Sequence, residues 1–130
     1  MILSSARYKQ NIVPMGTRSE KVLDLRPVTF AYKDDEQAIT HYGLLAEEVA
    51  IVYPDLVTRT ATGDVQTVKY QELIPMLLNE LQRQRQTLEH QEQSLQRQQQ
   101  DLAEVGTLRQ ELAELRALVG KGREMAASSR

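Results

Sequence analysis

Hydrophobic positions alternate in one stretch near the middle of the N-terminal half. In VLDLRPVTFAYK, Val28, Phe30 and Tyr32 fall on one face and polar or small residues on the other. This period of two predicts a β-strand. The polar residues 34–37 predict a turn, and AITHY (38–42) then reads as the return strand of a hairpin.

A helical spacing replaces the alternation after Gly43. Leu45, Val49 and Val52 predict a short helix that stops at Pro54. The following DLVTRTATGDVQTVKY predicts two short extended segments on either side of a glycine-containing turn at 62–64.

The chain opens with a polar stretch that fits a helix start. Ser4 or Ser5 is a suitable N-cap for a short helix reaching Ile12, with Pro14 and Gly16 ending it.

A long helix is predicted from about Gln71, with Pro75 in its first turn, where the missing amide costs no intrahelical bond. A leucine then recurs every seven residues, the spacing of a coiled-coil seam, at Leu81, Leu88, Leu95 and Leu102. In the favoured register the other core position holds Gln84, Gln91 and Gln98, whereas the alternative register holds Arg85, Glu92 and Gln99. A single helix of this kind exposes its leucines, so we expect oligomerisation.

Past Leu102 the apolar series shifts by three residues, to Val105, Leu108, Leu112, Leu115 and Val119, with Gly106 at the join. Two interpretations stay open: a stammer in a continuous coiled coil, or a break after which Thr107 and Gln110 open a new helix. Residues 120–130 are predicted to be a disordered tail.

These elements together predict an α+β chain. A small body of short helices and β-hairpins occupies residues 1–81, where all the aromatic residues lie, and a coiled-coil segment follows at 82–119.

Charge and composition exclude several functions. Sixteen basic and eighteen acidic residues give a net charge of −2 without a basic block, which argues against a nucleic-acid partner. No apolar run is long enough for a membrane span or a signal peptide, and there is no cysteine for disulfides or thiolate metal sites. His41 and His90 are isolated, so no metal site is predicted. Glu47 and Glu48 are adjacent on a helix and point about 100° apart, a poor geometry for a shared acid–base site.

The sharper chemical hypothesis concerns Ser4 and Lys9. A lysine can deprotonate a serine only when its amine is neutral, against a reference pKa of about 10.4, and serine–lysine dyads are known variants of the hydrolytic triad. Residues five apart on one helix do not face each other, so Ser4 must precede the helix in extended chain, or Lys9 must reach a neighbouring copy. The alternative is a capping serine and an exposed lysine.

Five stretches occur in the order and spacing of one family: SSARYKQNI, LDLRPVTFAYK, HYGLLAEEVA, YPDLV and VKYQELIPMLLNEL. Over about residues 4–81 the chain resembles the intramolecular chaperone of endosialidase type, the peptidase S74 domain. This domain lies at the C-terminus of phage tail fibres, tail spikes and some bacterial surface proteins.

The resemblance implies a serine protease-like module that assembles as a homotrimer through a coiled coil, helps a fibrous client upstream in the same polypeptide to fold, and releases itself by autoproteolysis. The family's S-x-x-R-x-K motif falls on Ser4, Arg7 and Lys9, which makes Ser4 the implied nucleophile, Lys9 its base and Arg7 a supporting residue. The implied cut lies between Leu3 and Ser4, and the hydrolysis needs no cofactor. The parent protein is expected to assemble in the cytoplasm and to reside in a virion or at a bacterial surface.

Two positions depart from the commoner family pattern. Ser5 stands where aspartate is frequent, which makes Ser5 a minor rival nucleophile, and Glu47 stands where glutamine is usual. Only three residues precede Ser4, so we expect the client to belong to a longer parent chain.

Overall fold

The computed structural model describes residues 2–129 and confirms the α+β class. The chain divides into two compact units, Met1–Gln84 and Arg85–Arg130. We call them the body and the helical unit.

The first element of the body is shorter than predicted. A single 3-10 turn spans Ala6–Tyr8, and Lys9 already has extended backbone angles (φ −117°, ψ 149°). The predicted continuation to Ile12 is therefore wrong. A second 3-10 helix, which the hydrophobic pattern did not predict, spans Gly16–Asp24 and opens on Gly16 at a φ of +60°, a value that glycine adopts without strain.

The predicted hairpin is present but its strands are short. Strand β1 (Val28–Phe30) pairs antiparallel with β2 (His41–Gly43), so that Val28 faces Gly43 and Phe30 faces His41. The connecting turn is held by the Asp35 carboxylate, which accepts hydrogen bonds from the backbone amides of Gln37 and Ile39 at 3.0 and 2.8 Å.

The next elements confirm the predicted short helix and the two extended segments that follow it. Helix α1 spans Ala46–Val52, and a 3-10 turn at Pro54–Leu56 follows it. Strands β3 (Val57–Arg59) and β4 (Val65–Val68) then form a second antiparallel hairpin around a turn in which Gly63 has a φ of +93°.

The core of the body is drawn from four parts of the sequence. It joins the second 3-10 helix, α1, the start of the second hairpin and the first turns of the long helix. Its buried members are Val22, Val49, Leu56, Val57, Leu73 and Met76. The two hairpins are separate two-stranded sheets, which are marginal in isolation. The second hairpin contributes Val57 to this core, and Val65 and Val68 pack against it.

Helix α2 spans Tyr70–Ser128 without interruption. It begins one residue before the predicted start, which leaves Pro75 in the second turn and the Gln71 carbonyl without an i+4 amide. No break occurs at Gly106, because α2 continues through it. The Thr107 hydroxyl donates to the carbonyl of Ala103 (3.1 Å) in the preceding turn and so does not cap a new helix. The described part of the predicted disordered tail, up to Ser128, is helical as well. None of the described helices has the length and apolarity to cross a bilayer.

Candidate active site

Ser4 lies before the first 3-10 turn, outside regular structure, and its side chain is exposed. Ser5 occupies the N-cap position with extended angles (φ −64°, ψ 141°), yet its side chain makes no capping hydrogen bond. The capping interpretation of the opening serines therefore finds no support in the geometry.

Lys9 returns to Ser4 from the other end of that turn. Because the helix ends at Tyr8 and Lys9 is extended, its side chain is free to fold back, and its Nζ donates to Ser4 Oγ at 3.1 Å. This distance lies within the range expected of a nucleophile and its base. The required arrangement, Ser4 ahead of the helix and Lys9 folded back, is thus formed within one copy of the chain.

The pair opens on a cleft of about 840 Å³ in the body. Ile2, Leu3, Ser4 and Lys9 form one side of it, and the end of β4 with the first turn of α2 forms the other. The Leu3–Ser4 peptide bond, predicted to be cut, is therefore at the surface of a cavity, and Leu3 itself is 68% exposed.

The third motif residue, Arg7, contacts its neighbour Tyr8. Its guanidinium lies over the ring of Tyr8, with 4.9 Å between Cζ and the ring centroid. This cation–π contact lies within the turn that separates Ser4 from Lys9.

The predicted seam leucines are all exposed in the single chain. The exposed fractions are 64, 65, 58 and 71% for Leu81, Leu88, Leu95 and Leu102. Their burial by other copies stays a prediction.

A buried polar cluster went unpredicted because its members are some 60 residues apart and carry no local motif. Ser19 is fully buried and donates to the Glu80 carboxylate at 2.7 Å, while Asn79 Nδ2 donates to Ser19 Oγ at 2.6 Å. Arg83 bridges Glu80 and Glu20 at 2.9 and 2.6 Å. The hydrogen bond from Ser19, with that from Arg83, holds the pKa of Glu80 below its usual value despite the opposing effect of burial.

His41 lies among aromatic side chains. His41 stacks on Phe30 with 5.6 Å between ring centroids and meets Tyr32 edge-on at 5.1 Å. Among residues 2–129, no three acidic or histidine side chains converge as a metal site would need.

Comparison with known families agrees with the motif analysis. Residues 4–58 match the peptidase S74 family, described as chaperone of endosialidase. The match begins at Ser4 and contains Arg7, Lys9, the first hairpin and α1, so the predicted family is confirmed over that range. It ends at Thr58, short of the predicted limit at Leu81. No curated protein matches the chain.

Proposed function

We propose that this chain is an intramolecular chaperone that assembles as a homotrimer, assists the folding of a fibrous segment upstream in the same polypeptide, and then cuts the Leu3–Ser4 bond. The observation that carries the proposal is the 3.1 Å contact between Lys9 Nζ and Ser4 Oγ. The chaperone family matched at residues 4–58 supports the folding role.

The proposed cleavage is a serine–lysine hydrolysis in which Ser4 attacks the carbonyl that precedes it. Ser4 Oγ forms a bond to the Leu3 carbonyl carbon and gives its proton to the neutral amine of Lys9. Lys9 returns that proton to the Ser4 nitrogen as the peptide C–N bond breaks, which leaves an ester between Leu3 and Ser4 Oγ. Water then hydrolyses the ester, frees the Leu3 carboxylate and restores the Ser4 hydroxyl.

Assembly and cleavage are linked in this proposal. The reaction needs Lys9 in its neutral form, and removal from water disfavours the charged form of an amine. In the single chain, both Ser4 and Lys9 are exposed to solvent. We therefore propose that cleavage follows assembly, when other copies or the client exclude water from the cleft.

The test uses the chain with its native upstream residues restored, followed by intact-mass spectrometry. We expect a fragment beginning at Ser4, and we expect Ser4→Ala and Lys9→Ala each to slow its appearance at least about 100-fold. Ser5→Ala is the matched control, since Ser5 is a neighbouring exposed serine without a capping bond. Cleavage of Lys9→Ala at the original rate would overturn the dyad, and loss of cleavage in Ser5→Ala alone would move the nucleophile to Ser5.

A second candidate function is a trimerisation module without catalysis. The exposed seam leucines favour it, because they call for partner helices whether or not Ser4 reacts. The same experiment separates the two: a chain that assembles as three copies yet keeps its full mass with upstream residues restored is a non-catalytic module. A chain that pairs only with another protein's helix would instead be a coiled-coil adaptor, and would sediment alone as one copy.

A further inference from the structure

The first turns of α2 carry two apolar faces side by side. One face packs into the body core through Leu73 and Met76, which are 5% and 9% exposed. The adjoining face carries Ile74 and Leu77, which are 66% and 50% exposed. A helix that only packed on the body would need the first face alone, so the second is left without a partner in the single chain.

The second face lines an apolar groove in the body. The groove has a volume of about 750 Å³, and the helix forms one wall with Tyr70, Ile74 and Leu77. The groove is also lined by Leu25 and by Tyr42, a residue of β2 that is 82% exposed. An exposed, contiguous apolar surface of this kind is typical of an interaction site.

The helical wall of the groove follows the same heptad register as the leucine series. Ile74 precedes Leu81 by seven residues, and Leu77 and Tyr70 stand seven and fourteen residues before Gln84. From Tyr70 to Leu81 both core positions of the heptad hold apolar side chains. Further along the helix, one of the two core positions holds glutamine, at residues 84, 91 and 98. The part of the heptad series richest in apolar side chains is therefore in the body.

We infer that this groove is an interface with a second copy of the chain, and that the heptad contact continues from Leu81 into the body as far as Tyr70. The inference rests on the proposed self-assembly and adds its location. In a parallel, in-register bundle, equivalent core positions meet around one axis. Whatever packs on Leu81 therefore also packs on Ile74 and Leu77, and the residue it brings there is its own Ile74 or Leu77. Tyr42, at the edge of the same groove, flanks the incoming helix.

The test compares self-association of full-length variants by sedimentation equilibrium. Tyr42→Glu is the sharpest variant, because Tyr42 lies outside α2 and its replacement leaves the heptad sequence intact. We expect its self-association constant to fall at least about tenfold, the effect of losing one well-packed interface residue. Ile51→Glu is the matched control, since Ile51 is 83% exposed on α1 and does not line the groove, and we expect less than about a threefold change.

A third variant separates this inference from the proposed function. Leu95→Glu places a charge in the helical unit alone. If Leu95→Glu weakens assembly and Tyr42→Glu does not, the proposed trimer stands and the groove interface is overturned. If the unmodified chain remains a single copy at high concentration, both are overturned.

The lack of cysteine in the chain allows a direct structural check. A disulfide needs Cα atoms about 4.4–6.8 Å apart, so Ile74→Cys should form a covalently linked pair on mild oxidation only if equivalent residues meet. We expect linkage of Ile74→Cys and none of Ile51→Cys. Equal linkage of the two, or none in either, contradicts an in-register contact at the groove.

Discussion

The body and the helical unit use the same apolar residue types in opposite ways. In the body, Val49 is only 1% exposed and belongs to a shared core. In the helical unit, every residue from Arg85 to Ser129 is exposed, including all its leucines. The body therefore has internal contacts that specify its fold within one copy. The helical unit has a heptad pattern whose apolar positions are exposed in the single chain, and we propose that partner helices cover them.

The polar interactions of the two regions also differ in the sequence separation of the residues they join. The body joins distant parts of the chain through Ser19, Asn79 and Glu80. The helical unit has a local pair, Arg85 and Glu89, one turn apart at 3.0 Å. Substitutions in the body should therefore change folding, whereas those in the helical unit should chiefly change association.

The largest expected effect is that of Leu73→Ala. Leu73 is 5% exposed in the core, so its truncation leaves a cavity and should lower the free energy of unfolding by about 2–5 kcal/mol. Leu88→Ala, at a side chain 65% exposed, should change it by less than about 0.5 kcal/mol at dilutions where the chain is a single copy. Urea unfolding followed by tyrosine fluorescence measures both. Equal effects would contradict the difference between the two regions.

A smaller effect is expected from Glu80→Gln, and it should depend on pH. The pKa of Glu80 is lowered in the folded body by hydrogen bonds from Ser19 and Arg83, so its charge stabilises the fold above the ordinary glutamate pKa. That stability is lost as pH falls through the lowered folded value. Melting temperatures between pH 7 and pH 3 should therefore fall less steeply for Glu80→Gln than for the unmodified chain. Glu47→Gln, on the exposed surface of α1, should keep the original slope, and an unchanged slope in Glu80→Gln would reject this role.

Two glycines should respond to alanine with opposite signs. At Gly43 a Cβ would lie 2.7 Å from the Tyr70 hydroxyl, which accepts a hydrogen bond from the Leu44 amide at 2.9 Å. Gly43→Ala must displace that hydroxyl, and we expect a loss of about 1 kcal/mol. Gly120 has no atom within 4 Å of a Cβ and lies in α2, so Gly120→Ala should stabilise the helix by about 0.5–1 kcal/mol. Thermal unfolding followed by circular dichroism distinguishes the signs, and two losses would contradict this account of Gly43.

The smallest effect is expected at Arg85 and Glu89. Their side chains are 81% and 56% exposed, so the ion pair should contribute about 0.2–0.5 kcal/mol. A double-mutant cycle of Arg85→Gln and Glu89→Gln at low and high salt measures it. A coupling above about 1 kcal/mol would mean that this surface is less solvated than the single chain shows.

The sequence predicted the elements whose signal is local. The period of two over Val28–Phe30 and the helical spacing at Leu45–Val52 correspond to real elements. In α1 the spacing buries Val49 in the core, and in β1 the alternation leaves Val28 and Phe30 half-buried and Thr29 exposed. The 3-10 helix at Gly16–Asp24 was missed because only two of its residues, Ser19 and Val22, are buried, and two positions do not define a hydrophobic period. The tail after Gly120 was predicted to be disordered because it is a chain terminus, and α2 instead continues to Ser128.

The candidate site was predicted in its residues and in one part of its geometry. For a contact within one chain, the spacing required Ser4 to precede the helix, whereas a contact with a neighbouring copy stayed open. The early end of that helix at Tyr8 allows Lys9 to return within the chain. The cleft beside the pair could not be predicted, because it depends on packing β4 and the start of α2 against residues more than 50 positions earlier. The groove lined by Ile74 and Tyr42 was inaccessible to sequence reasoning for the same reason, although its heptad register is visible in the sequence.

Sedimentation equilibrium of the unmodified chain over a wide concentration range tests the central claim most directly. If the exposed leucine series is a contact between copies, the mass should rise with concentration to three times that of the chain and go no further. A well-folded single copy at the highest concentration would contradict the account, because the leucines would then be exposed in the functional state as well.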